Sequence, residues 1–151
     1  MSDPIVIEPV TKIVELTRAP SDAFDLFVDR MDQWWPLDTF AVSTDDAVAI
    51  RTDSRVGGTI SEVTRAGVEH VWATITAFVQ DERIEFTWHP GAPEVEATLI
   101  DVRFDATDQG TRVTLTHSRW EARGDGAQKI RDNYESGWDI VLAPFVAAAS
   151  A

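Results

Sequence analysis

Polar and apolar residues alternate along most of this chain, and the period lengthens to that of a helix only near the two ends of the pattern. Val10, Lys12, Val14 and Leu16 fall on one side of residues 10–16, and Thr11, Ile13 and Glu15 fall on the other. With its β-branched content, that alternation predicts a strand. Arg18-Ala19-Pro20 ends it, and Ser21 is expected to cap a helix through its hydroxyl. Ala23, Phe24, Phe27, Val28 and Met31 recur on one side of this helix, which stops before Trp34-Trp35-Pro36. A second strand is predicted over residues 47–51, followed by a tight turn at Gly57-Gly58.

Residues 59–64, 70–79, 83–89, 97–106 and 111–119 then read as strands separated by short polar or glycine-containing breaks. Asp108-Gln109-Gly110 is the clearest hairpin loop. After Gly124-Asp125-Gly126, the residues Ile130, Tyr134, Gly137, Trp138, Val141, Leu142 and Phe145 return at helical spacing. Gln128, Lys129, Asp132, Glu135 and Asp139 take the opposite face. Gly137 is expected to let this helix approach the sheet closely, and Pro144 to kink or weaken it. The chain therefore reads as a single α+β domain over residues 1–151, with an N-terminal extension over 1–9 and a frayed tail over 147–151.

An open antiparallel sheet must cover one apolar face, and the final helix carries the only long apolar stripe available. A sheet curled around a straight helix cannot touch it across its whole width, so a side-chain-lined space is expected between them. Alternation places Ile84, Phe86 and Trp88 on one face of their strand and Val113, Leu115 and His117 on one face of theirs, both toward the helix.

Composition narrows the function classes. The 151 residues include no cysteine, which removes disulfides, thiolate metal sites and a cysteine nucleophile. A net charge of -13 opposes binding to nucleic acid or anionic membranes. Met1 to Pro9 has no basic leader pattern and no apolar run spans a membrane, so the chain reads as cytoplasmic. His70, His89 and His117 lie on different strands without paired-ligand spacing, so no metal is expected, and no cofactor motif is present. Ser118 points away from the face of His117, which leaves Ser/His/Asp catalysis unsupported.

Taken in order, several segments resemble the START-like (SRPBCC) superfamily and its heat-shock-ATPase activator homologue branch. They are Arg18-Ala19-Pro20 with Phe24 and Phe27, Trp34-Trp35-Pro36, Gly57-Gly58 and Arg83-Ile84-Glu85-Phe86-Thr87-Trp88. Gly110-Thr111-Arg112-Val113-Thr114-Leu115-Thr116-His117 and Gly137-Trp138 with Leu142 complete the set. The resemblance implies a helix-grip (Bet v-like) fold, a curved antiparallel sheet around a long C-terminal helix, with two short helices after the first strand. Its relatives bind lipids, hormones or polyketides, or act as cyclases and aromatases. The eukaryotic namesake carries a further N-terminal domain that these 151 residues leave no room for, which counts against a co-chaperone role. Where relatives often carry glycine and glutamate, this chain has Ala73 and Ala77.

The expected apolar pocket is lined by Trp35, Phe40, Trp72, Phe86, Trp88, Phe104, Leu115, His117, Tyr134, Trp138, Val141, Leu142 and Phe145. His117 and Tyr134 would orient a polar group of the ligand. For His117 a general acid-base role stands against that of a structural histidine bonded to a backbone or hydroxyl partner. His70 and His89 are expected to face solvent. The leading expectation is a binder of an apolar small molecule. A cyclase in which His117 moves protons and a chaperone-interacting module using an acidic face are the alternatives, and a homodimer is left open.

Overall fold

The computed structural model describes residues 6–150. Seven strands form one antiparallel sheet in the spatial order β1-β7-β6-β5-β4-β3-β2. They are β1 (Val10–Leu16), β2 (Ala47–Thr52), β3 (Thr59–Thr64), β4 (Glu69–Val79), β5 (Arg83–Trp88), β6 (Thr98–Thr107) and β7 (Gly110–Ser118). Two α-helices, α1 (Pro20–Val28) and α2 (Ala127–Ala149), lie against it. This is the helix-grip architecture. A one-turn 3-10 helix, Met31–Gln33, stands where a second short helix was expected. Of the stretch 1–9 read as an extension, residues 1–5 lie outside the described residues, and 6–9 belong to no helix or strand. No helix among the described residues is long and apolar enough to cross a membrane.

Helix α1 begins two residues earlier than expected. Ala19 takes the N-cap position and Pro20 the first turn, so Ser21 is not the cap. Proline suits that position because its fixed φ is helical and its missing N-H would have had no partner there. At the other end, α2 runs through Pro144 to Ala149, which is buried, so residues 147–149 are helical and not a frayed tail. Lys12 on the edge strand reaches Asp139 of α2 at 3.0 Å and Glu135 at 3.7 Å, tying the helix to the sheet.

The curl of the sheet is concentrated in one half. Register shifts interrupt the β2-β3, β3-β4 and β4-β5 pairings, whereas β5-β6, β6-β7 and β1-β7 pair without a break. Each shift adds a residue to one strand, bends it and increases its twist. The turn before β3 needs both glycines: Gly57 has φ +85°, and a Cβ on Gly58 would lie 2.0 Å from the Asp53 carbonyl oxygen.

Inward-facing side chains of the regular half stack in rows across the strands. Phe104 pairs with Val113, Ile84 and Leu115 flank Val102, Phe86 and His117 flank Ile100, and Trp88 pairs with Thr98. All are buried. His117 is fully enclosed, and its ring is fixed on both sides. The Trp138 indole, which can only donate, gives its N-H to Nδ1 at 3.0 Å. Nε2 therefore carries the proton and donates to Thr98 Oγ1 at 2.6 Å, and that hydroxyl donates to the Trp88 carbonyl at 3.2 Å.

Burial, with the nearby Arg123 charge, pushes the His117 pKa down from its ordinary 6.5 to about 3. A folded-state pKa below the unfolded one means that the unfolded chain binds more protons between those values. Stability from neutral His117 is thus complete above pH 6.5 and is lost as pH falls toward 3. Each unit of acidification in that window costs about 1.4 kcal/mol. Urea midpoints at pH 7 and pH 5 should fall by more in wild type than in His117→Gln. Equal falls in the two proteins would show that His117 is not held neutral.

Candidate functional site

One end of the space between sheet and helix is filled by α1. Phe24 lies 5.2 Å from Phe104, and Phe27 lies 5.4 Å from Phe145 and 5.9 Å from Phe104, ring centre to ring centre. The other end, beside Trp88 and the strands with register shifts, is not filled by α1. A cavity of about 470 Å³ remains there. Trp72 and Trp88 come from β4 and β5, and Trp35 with residues 39–42 from the loop after α1. Pro90 and Gly91 of the β5-β6 turn and Asn133, Tyr134, Gly137, Trp138 and Val141 of α2 complete the wall. None of these residues carries Asp, Glu, Lys, Arg or His chemistry.

Four tryptophans make a continuous aromatic surface. Trp35 lies 5.2 Å from Trp72, 5.7 Å from Trp88 and 6.1 Å from Trp138, and Trp88 lies 5.6 Å from Trp72. Each indole N-H is committed: Trp35 to the Phe40 carbonyl, Trp72 to Glu62, Trp88 to the Tyr134 hydroxyl and Trp138 to His117. The rings thus present apolar faces, with no donor left over from the indoles. Burial raises the Tyr134 phenol pKa against the opposing effect of the Trp88 bond, so the hydroxyl keeps its proton.

Glu62 holds the loop side of this wall. Its carboxylate is completely buried on β3 and has no cation beside it among the described residues. It accepts from the backbone N-H of Val42 at 2.6 Å and of Ser43 at 2.8 Å, from the Ser43 hydroxyl, and from Trp72 Nε1 at 2.7 Å. Desolvation alone would raise its pKa, but these four donors outweigh it and hold the carboxylate below its ordinary range. One ion thereby ties the loop, through β3, to a tryptophan of the cavity wall.

Of the residues expected to line a pocket, the cavity wall includes Trp35, Phe40, Trp72, Trp88, Tyr134, Trp138 and Val141. Phe86, Phe104, Leu115, His117, Leu142 and Phe145 are not part of it. All six are buried. Gly137 departs from expectation: a Cβ there would meet nothing within 4 Å, so its bareness leaves room in the cavity instead of allowing close packing on the sheet. His89 is buried and not solvent-facing, because the turn after β5 folds its Nδ1 to within 3.1 Å of the Ala92 carbonyl. His70 is half-buried.

Sequence reasoning also passed over Glu62, although its alternation with Ile60 and Thr64 signalled an inward position. Among the described residues no group of three or more His, Asp or Glu side chains is placed to hold a metal ion. Glu62→Gln replaces one acceptor oxygen with an amide that opposes N-H donors, and it should cost about 2 kcal/mol. Amide exchange at Val42 and Ser43 should then accelerate while β6 and β7 remain protected. Unchanged exchange at those two amides would show that Glu62 does not hold the loop.

The fold is shared with several solved structures. A protein from Nitrosomonas europaea superposes with a TM-score of 0.69 at 15% identity, covering 97% of each chain. The Aha1 dimer from Colwellia psychrerythraea gives 0.68 at 18% identity, over 94% of this chain and 96% of that one. The anthrahydroquino-γ-pyrone synthase Txn09 gives 0.65 at 27% identity, over 96% of this chain and 99% of that one. Comparison with curated proteins finds no match. The sequence profile of the Activator of Hsp90 ATPase homolog 1-like protein family matches residues 18–150, and the chain belongs to that family.

Proposed function

We propose that this chain binds an uncharged aromatic or similarly apolar small molecule in the tryptophan-walled cavity. The observation that carries this reading is the junction of four indoles whose N-H groups are all committed, beside a space of about 470 Å³. That volume lies in the range of small-molecule sites, roughly 300 to 1,000 Å³, and apolar walls with few polar groups are their usual composition. Flat aromatic walls favour a flat ligand, because offset stacking adds to the gain from burying apolar area.

Txn09, by its name a synthase of an anthrahydroquino-γ-pyrone, supports both the size and the aromatic character of the ligand. It also favours a second reading, in which the cavity shapes a reacting aromatic precursor. In that reading His117 does not move the protons. It lies outside the cavity wall, both ring nitrogens are engaged, and its depressed pKa leaves it a poor base near neutrality.

Filling the cavity from α2 tests the site without opening the core. Gly137→Phe places a ring where a Cβ meets no atom within 4 Å. Replacing a mid-helix glycine also removes a helix penalty of up to about 1 kcal/mol. The neutral fluorophore N-phenyl-1-naphthylamine should bind wild type with enhanced emission, and Gly137→Phe should weaken it by about tenfold or more. The variant's melting temperature should be equal or higher. Wild-type affinity in a folded Gly137→Phe would place the binding site elsewhere.

A further inference from the structure

The polar chemistry of the cavity converges on one atom. Apart from the four committed indoles, only Thr39, Asn133 and Tyr134 among its lining side chains carry polar groups. Thr39 and Asn133 are exposed, and the Thr39 hydroxyl is directed to Asp38 at 3.4 Å. Tyr134 is half-buried, with its ring 4.9 Å from His117, 5.3 Å from Trp120 and 6.4 Å from Trp138. Those contacts fix the ring in the wall.

Direction follows from the partner. The Trp88 indole can only donate, so at 3.2 Å the Tyr134 oxygen is the acceptor of that bond. The phenolic proton then has no acceptor among the described residues. An oxygen that already accepts a hydrogen bond is polarised to donate a stronger one, and a half-buried O-H without an acceptor loses free energy unless a partner supplies one.

Resting on the proposed aromatic-ligand reading, the geometry points to Tyr134 as the specificity-determining donor, selecting flat, uncharged ligands that carry a carbonyl or ether oxygen. Trp88 and Trp138 supply the stacking surface, and the Trp88 N-H orients the hydroxyl. No cation lines the cavity to balance a carboxylate, so the acceptor it takes is a neutral oxygen. Hydrocarbon rings of the same shape gain the stacking alone.

The matched pair 9-fluorenone and fluorene differs in that one oxygen and reads the inference directly. Quenching of tryptophan emission should show wild type binding fluorenone about fivefold to tenfold more tightly than fluorene, the worth of one net hydrogen bond. Tyr134→Phe should narrow that preference; because it also strips the Trp88 indole of its acceptor, any loss common to the two probes reports the altered wall and not the donor. In wild type itself, the carbonyl stretch of bound fluorenone should fall below its position in hydrocarbon solvent, which tests the bond without any variant. Equal affinity of wild type for both probes, an undiminished preference in Tyr134→Phe, or a carbonyl stretch at the hydrocarbon position would each overturn the donor role while the cavity stands. Failure of both probes to bind wild type would remove the cavity reading, and this inference with it.

Discussion

A tryptophan can be buried only if its single N-H finds an acceptor, and this chain satisfies that condition six times over in a small volume. Trp34 donates to the Leu26 carbonyl, Trp35 to that of Phe40 and Trp120 to that of His117. The other three use side chains, and those three define the cavity end of the molecule. Trp138 requires an unprotonated nitrogen, which sets the tautomer of His117 and engages Thr98 in turn. Trp72 requires an anion or carbonyl, which Glu62 supplies while also holding the loop. Trp88 requires an oxygen from α2, which Tyr134 supplies. Helix, loop and sheet are thus held at fixed distances around the cavity by the polar edges of its own apolar walls.

Those constraints operate at one end because α1 occupies the other. Phe24 and Phe27 enter between sheet and α2, and edge-to-face contacts with Phe104 and Phe145 close that region as a packed core. Beyond the reach of α1, Trp72 is the extra residue at the β3-β4 register shift, and its ring meets Trp35 at 5.2 Å and Trp88 at 5.6 Å. Gly137 then matters through what it lacks. A glycine inside a helix costs about 1 kcal/mol relative to alanine, and here no close backbone contact requires one. The position accepts a helix penalty where a side chain would reduce the open space.

Alternation made the sheet legible. Phe86, Trp88, Leu115 and His117 had to face inward, because a one-residue slip would have turned every one of them to solvent. Parity gives the face of a strand but not the depth along it, and depth is what separates Trp88, which lines the cavity, from Phe86, which does not. That distinction depends on where α1 ends in space, a tertiary property with no local signature. Gly137 was ambiguous for a related reason, since close packing and a retained gap both call for a missing side chain. Glu62 was legible in principle: a carboxylate in phase with Ile60 and Thr64 must either break the strand or be satisfied inside. Its backbone donors lie 19 and 20 residues away in a loop with no periodicity to announce them.

The charge distribution sharpens what the cavity can accept. The chain carries a net charge of -13, and its buried carboxylate, Glu62, is neutralised by hydrogen bonds and not by a cation. An anionic ligand would approach against that field and arrive in a wall with no lysine, arginine or histidine to receive it. A cation would be attracted from a distance and would find the indole faces favourable, but the phenol offers it a proton where an acceptor is needed. A neutral oxygen suffers neither conflict. The electrostatics of the whole chain and the orientation of one hydroxyl therefore select the same ligand chemistry, although they act over very different distances and are encoded by different residues.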